Sequence, residues 1–145
     1  MSESEKIDSV DKKILDIILR DARASLTDIA QEVDVSSSTV RNRMNKLKKI
    51  KVIRRFITEV DWRKLGFDVQ AMLFIQVKLG TSQNIWNELQ KVEEVLKIWE
   101  TTGQATIVAI VKSKNMNEFY KLLSNKIEKI EGIEKIDVSF ILKET

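Results

Sequence analysis

The chain has 145 residues, 43% hydrophobic and 32% charged, which allows one domain or two small ones with a core and does not suggest disorder. Cysteine, histidine and proline are absent, which excludes disulfides, thiolate metal sites and the histidine-dependent nucleophile and base systems of most enzymes. The net charge of +3 is unevenly spread: residues 1–64 carry 15 Lys and Arg against 11 Asp and Glu, and residues 65–145 carry 10 against 11.

Three short amphipathic helices are predicted between residues 8 and 50. The first opens at Asp8 or Ser9, places Val10, Ile14, Ile17 and Ile18 on one face, and ends between Arg20 and Ala22. The second opens at Ser25 with Asp28 three residues on, and its face is Leu26, Ile29, Ala30 and Val33. At about two turns it cannot stand alone and must dock on its neighbours. Asp34-Val35-Ser36 links to the third, with Ser36 as N-cap and Val35 packing against Val40.

Val40, Met44, Leu47 and Ile50 form the buried stripe of that third helix. At about 100° per residue, Ser38, Asn42, Asn45 and Lys49 lie opposite it, with Arg41 and Lys46 on the flanks. Arg43 falls nearer the buried edge, where it either pairs with an acid such as Asp11 or reaches a phosphate. Eight cations (Arg41, Arg43, Lys46, Lys48, Lys49, Lys51, Arg54, Arg55) crowd this stretch, with no acid between Val35 and Ile57. A solvated face usually interleaves both signs, so this is an anion-binding footprint. A helix fits the major groove, where Asn pairs with adenine, Arg with guanine and Ser or Thr with either. The expected DNA-binding set is Ser37, Ser38, Thr39, Arg41, Asn42, Arg43, Asn45, Lys46, Lys49, Arg54 and Arg55.

Val52, Ile53, Phe56, Ile57 and Val60 read as an extended segment leaving the helices. Arg54 and Arg55 on it either touch phosphates as a wing or keep an exposed edge soluble. Trp62 to Phe67 is the expected hinge region, with Gly66 as its breaker. From Val69 the period becomes two: Val69, Ala71, Leu73, Ile75, Val77 and Leu79 point one way, and Gln70, Met72, Phe74, Gln76 and Lys78 the other. A short helix (Ile85, Trp86, Leu89, Val92) and strands over Leu96–Thr102 and Ala105–Lys112 follow. A longer helix carries Met116, Phe119, Tyr120, Leu123, Ile127 and Ile130 up to Gly132, and a last strand carries Ile136, Val138, Phe140 and Leu142. The order β-α-β-β-α-β is the ferredoxin-like split unit, with two helices on one face of an antiparallel sheet. Its other face, with Met72 and Phe74, needs cover, which a second copy supplies most simply; the alternative is a small ligand under the sheet, for which no residue cluster calls.

On these residues the chain resembles the Lrp/AsnC (feast/famine) family of prokaryotic transcription regulators along nearly its whole length. The matching stretches are Ile7-Asp8, Asp11, Ile14-Leu15, Arg23, Ser25 to Val33, Val35-Ser36, Val40, Arg43, Leu47, Val52-Ile53, Lys64-Leu65-Gly66, Gly103, Met116 and Gly132-Ile133. The resemblance implies an α+β, two-domain chain: a winged-type helix-turn-helix domain (1–64) with a trailing strand, a hinge (65–69), and a ferredoxin-like RAM-like domain (70–145) for dimerisation and effector binding. It also implies assembly of dimers to octamers, and an amino acid effector near Gly103, Gln104, Ala105 and Thr106. Three departures stand out. Lys51 replaces the usual Gly after the recognition helix, and Glu131 replaces a common Pro. The turn Gly-Asp-x-Asp reads Gly103-Gln104-Ala105-Thr106, without the acids that would hold an ammonium.

The expected function is sequence-specific binding of double-stranded promoter DNA by a homodimer or larger ring. The alternatives are an architectural protein with little sequence preference, or a small-molecule sensor acting on a protein partner. No apolar run nears the roughly 18–20 residues that cross a bilayer, and the acidic start (Ser2, Glu3, Ser4, Glu5) is no signal peptide. The chain is therefore expected in the cytoplasm, without membrane contact, cofactor, metal or enzymatic activity.

Overall fold

Asp8 and Asp11 open helix α1 (Ser9–Arg20) with a reciprocal pair of hydrogen bonds, each carboxylate accepting from the other's backbone N–H. The computed structural model describes residues 6–143 and resolves two units, one ending at Glu59 and the other beginning at Val60. In the first, α2 (Leu26–Val33) is capped by Ser25 and α3 (Ser37–Lys49) by Ser36. Ile14, Ile17, Ile18, Ile29, Ala30, Val33 and Val40 interlock as its core. Asp34 turns the chain between α2 and α3 at φ 60°, a left-handed conformation that Asp tolerates better than most residues.

Lys51 follows α3 at φ 58°, where the resemblance implies Gly. Its N–H closes on Lys48 O at 3.0 Å, and Ile53 N–H reaches Leu47 O at 3.1 Å, so the helix still ends in a tight turn. The expected trailing strand does not form: residues 54–60 make no ladder among the described residues. Phe56 and Ile57 stay exposed, and Lys48 sits 5.4 Å over the Phe56 ring. A strand needs a hydrogen-bonding neighbour, and the described residues of this unit offer none.

Residues expected as a hinge belong to the second unit. Arg63–Leu65 make one 3-10 turn closed by Gly66 at φ 87°. Trp62 and Phe67 meet edge to face, with the Lys112 ammonium 3.7 Å from one ring centroid and 4.5 Å from the other. Arg63 donates to the carbonyls of Ile141 and Leu142.

Strands β1 (Val69–Val77), β2 (Val95–Glu100), β3 (Ile107–Ser113) and β4 (Ile133–Phe140) form one antiparallel sheet in the order β2-β3-β1-β4. Helices α4 (Ser82–Leu89) and α5 (Met116–Leu122) connect them as the split unit requires. Ala71, Leu73 and Ile75 of β1 join Ile107, Ala109 and Val111 of β3 under Ile85, Leu89, Phe119 and Leu122. The longer helix expected up to Ile130 is interrupted: α5 widens over Leu123–Ile127 into a π turn, with Glu128 N–H on Leu123 O at 2.8 Å. The widened turn leaves Ile127 fully buried in the core.

Gly132 is required by both space and angle. It sits at φ 102°, and a Cβ there would lie 2.5 Å from Thr81 Oγ1. Its carbonyl also accepts from Lys78 N–H at 2.8 Å. Gly132→Ala is therefore expected to cost roughly 2–4 kcal/mol, combining backbone strain with overpacking, and urea unfolding will read it as a lower midpoint at unchanged slope.

Candidate nucleic-acid interface and ligand turn

Burial divides α3 along its length. Val40 and Leu47 are fully buried, whereas Ser38, Arg41, Asn42, Asn45, Lys48 and Lys49 are exposed. At the N-terminus, Ser36 Oγ accepts from Thr39 N–H at 3.1 Å and shares hydrogen bonds with the hydroxyls of Ser38 and Thr39. Ser37 and Thr39 are half-buried. The exposed row is thus a hydroxyl, amide and cation face that begins at Ser38, the second residue of a capped helix. Arg54 and Arg55 are exposed on the irregular segment after α3.

Two expected DNA-binding cations stand differently. Arg43 donates to Asp8 Oδ2 and lies 3.4 Å from Asp11 Oδ1. Lys46 donates to Asp11 Oδ2 and, at 3.1 Å, to the Lys6 carbonyl. Asp11 is fully buried. Sequence reasoning named it only as one acid that Arg43 could meet and missed Asp8 and Lys46. A signal was available, because Asp11 precedes Ile14 by three residues and Ile18 by seven, on the buried stripe of α1.

The Asp8 carboxyl is held below its ordinary 3.8 chiefly by the backbone N–H of Asp11. Slight desolvation opposes this, and the hydrogen bond and charge of Arg43 assist it. Arg43 is raised in turn, first by its hydrogen bond to Asp8. A depressed carboxylate pKa stabilises the fold above the unfolded value, and that gain is lost as pH falls through the lower folded value. Asp8→Asn keeps a capping oxygen but not the charge. Its stability deficit is therefore expected to be complete at pH 6 and to shrink below about pH 3.8, which urea melts at pH 6 and pH 3 will compare.

In the second unit, the residues expected to meet an effector form the connection between β2 and β3. Thr101 Oγ1 donates to Ala105 O at 2.7 Å, and Thr106 N–H is bonded to Ile75 O at 3.0 Å. Gly103, at φ 113°, and Gln104 are exposed at the tip. A small pocket lined by Ser82, Gln83, Trp86 and Glu100 also uses the end of β2. Among the described residues, no cluster of three or more His, Cys, Asp or Glu side chains could hold a metal ion.

An AsnC-type helix-turn-helix domain matches residues 7–48, and an Lrp/AsnC ligand-binding domain matches residues 70–145. The chain belongs to the Lrp/AsnC family. It is a transcription regulator of the Lrp/AsnC type and not an enzyme. The HTH-type transcriptional regulator FL11 of Pyrococcus furiosus is 31% identical over 94% of this chain and 90% of its own length. Ptr1 of Methanocaldococcus jannaschii is 31% identical over 94% of this chain and 93% of its own. The structure of E. coli AsnC superposes with a TM-score of 0.84 at 26% identity, covering 96% of this chain and 94% of that one. The Lrp/AsnC ligand-binding match contains both the connection at Gly103 and the open sheet face with Met72 and Phe74, and the helix-turn-helix match contains α3 up to Lys48.

Proposed function

We propose that this Lrp/AsnC regulator reads a promoter sequence by laying the exposed face of α3 in the major groove of double-stranded DNA. The observation that carries this reading is the row Ser38, Asn42, Asn45 and Lys49, exposed on a capped helix whose opposite side is buried, with Arg41 beside it. Asn and Arg are the side chains that pair bidentately with adenine and guanine, while Lys49, Arg54 and Arg55 suit phosphates. Ser37 and Thr39 at the helix start lie where hydroxyls meet backbone or base edges. The working unit is a homodimer joined through the open sheet face, with dimers assembling further to octamers, and it acts in the cytoplasm. No helix among the described residues is long and apolar enough to cross a membrane. The test is selection of duplexes from a random pool by the purified protein, then footprinting and titration of the selected site. Specific binding at least about a thousandfold tighter than random DNA supports the reading, whereas near-equal affinities favour an architectural role.

The connection at Gly103, Gln104, Ala105 and Thr106 is the proposed effector site. Gln104 and Thr106 offer dipoles where a carboxylate would neutralise an amino acid's ammonium, and Thr106 N–H is already engaged by Ile75. A charge-assisted hydrogen bond is roughly twice as strong as a neutral one, which here corresponds to about tenfold to a hundredfold in affinity. Common amino acids are accordingly expected to bind at millimolar rather than micromolar levels and to change DNA affinity little. Calorimetric titration with an amino acid panel measures this. Micromolar binding that is lost on Gln104→Ala would show that the turn recognises its ligand through other chemistry.

A further inference from the structure

We propose that Asp11 is a positioning residue for DNA reading: it stands in for a phosphate, keeps Arg43 and Lys46 off the DNA backbone, and fixes the roll of α3. This inference rests on the reading of α3 as the DNA-contacting helix. Asp11 is the one fully buried charged side chain among the described residues of the first unit. Burial of a carboxylate is tolerated only when its charge is matched and its oxygens are bonded. Both conditions are met from two directions. Within α1 its Oδ2 accepts the Asp8 N–H at 3.1 Å. From α3 it receives Lys46, and Arg43 bridges it to Asp8.

The two cations sit on one flank of α3, between its buried stripe and the exposed row that begins at Ser38. Their side chains are only 32% and 22% exposed, and they reach towards α1. A charged anchor on one flank resists rotation of α3 about its own axis in a way that the aliphatic stripe of Val40 and Leu47 cannot. Such a rotation would carry Asn42 and Asn45 away from the base edges. The same anchor removes two of the eight cations of this stretch from the sequence-blind attraction to phosphates. Asp11 therefore acts on specificity through Arg43 and Lys46, without touching DNA.

The experiment is the salt dependence of binding to a random 30-base-pair duplex, together with affinity for the duplex selected by the parent protein. Each phosphate contact contributes about 0.9 to the slope of log K against log salt. Arg43→Gln and Lys46→Gln are expected to leave the parent slope unchanged, while Lys49→Gln lowers it by about 0.9. Asp11→Asn keeps shape and frees Lys46, while Asp8 still holds Arg43, so its slope is expected to steepen by about 0.9 and its selected-to-random ratio to fall about tenfold. Arg43→Lys, which keeps a cation for Asp8, should retain the parent ratio. The proposal is overturned if Arg43→Gln or Lys46→Gln lowers the slope by about 0.9, or if Asp11→Asn weakens both duplexes equally at unchanged slope. If Asp11→Asn does not fold, the two Gln variants decide alone. Absence of salt-dependent DNA binding by the parent itself would instead overturn the reading of α3.

Discussion

Asn42→Ala and Arg41→Ala will each weaken binding to the selected duplex by about 1–3 kcal/mol and leave random DNA nearly unchanged. Both side chains are exposed, and neither bonds to another described side chain. Truncation therefore removes a contact with DNA without opening a cavity, and stability should stay within about 0.5 kcal/mol of the parent. The contrast with Lys49→Ala is the informative one. A phosphate contact loses affinity on both duplexes in proportion, whereas a base contact loses it on one. Fluorescence anisotropy with the two duplexes at one salt concentration measures all three variants. Equal losses on both duplexes for Asn42→Ala would assign that side chain to the backbone and move base reading elsewhere on α3.

Much of this arrangement was legible in the sequence because it depends on local chemistry. Ser25 and Ser36 are N-caps by their hydroxyls, and Asp8 by its carboxylate. The alternation from Val69 to Val77 fixes which face of β1 meets the helices, and Ala71, Leu73 and Ile75 are indeed the buried ones. What escaped were contacts between residues far apart in the chain. The grip of Asp8 and Asp11 on Arg43 and Lys46 spans more than thirty positions. A charged residue on an apolar stripe hints at such a partner without naming it. Lys112 under Trp62 and Phe67 is of the same kind: alternation puts it on the open face, and only the fold brings the two rings over it. The π turn after Leu122 was hidden because apolar spacings of three and four persist through an inserted residue. The segment 54–60 shows the opposite failure. Its β-branched and aromatic composition favours a strand, but composition supplies no neighbour to pair with.

Met72→Lys combined with Phe74→Lys, in the full chain, is expected to turn a dimer into a folded monomer. The open face of the sheet is continuous: Phe74 pairs with Val108, which pairs with Trp99, and Met72 pairs with Ile110. Trp99 is 42% exposed, and Met72, Phe74 and Ile110 are only partly covered. A patch of this kind across three strands is costly in water and is the natural seat of a symmetric interface. In a two-fold interface each substitution occurs twice, so the pair of changes introduces four ammonium groups into one buried surface. Desolvating such charges in the seam costs several kcal/mol even where a carboxylate lies beside them, and a loss of about 4 kcal/mol already weakens the dimer about a thousandfold. The fold should survive, because the core on the other face is built from Ala71, Leu73, Ile75 and their helical partners. On the open face itself, Asp137 lies opposite Phe74 and gives the ammonium introduced by Phe74→Lys a neighbour of opposite sign. Sedimentation at micromolar concentration, with circular dichroism as the check on folding, separates the outcomes. A parent that is already monomeric would remove this face from the interface, and so would a double variant that stays dimeric. The expected monomer should also bind its DNA far more weakly, because two recognition helices on one site multiply their affinities only while the sheet faces hold them together.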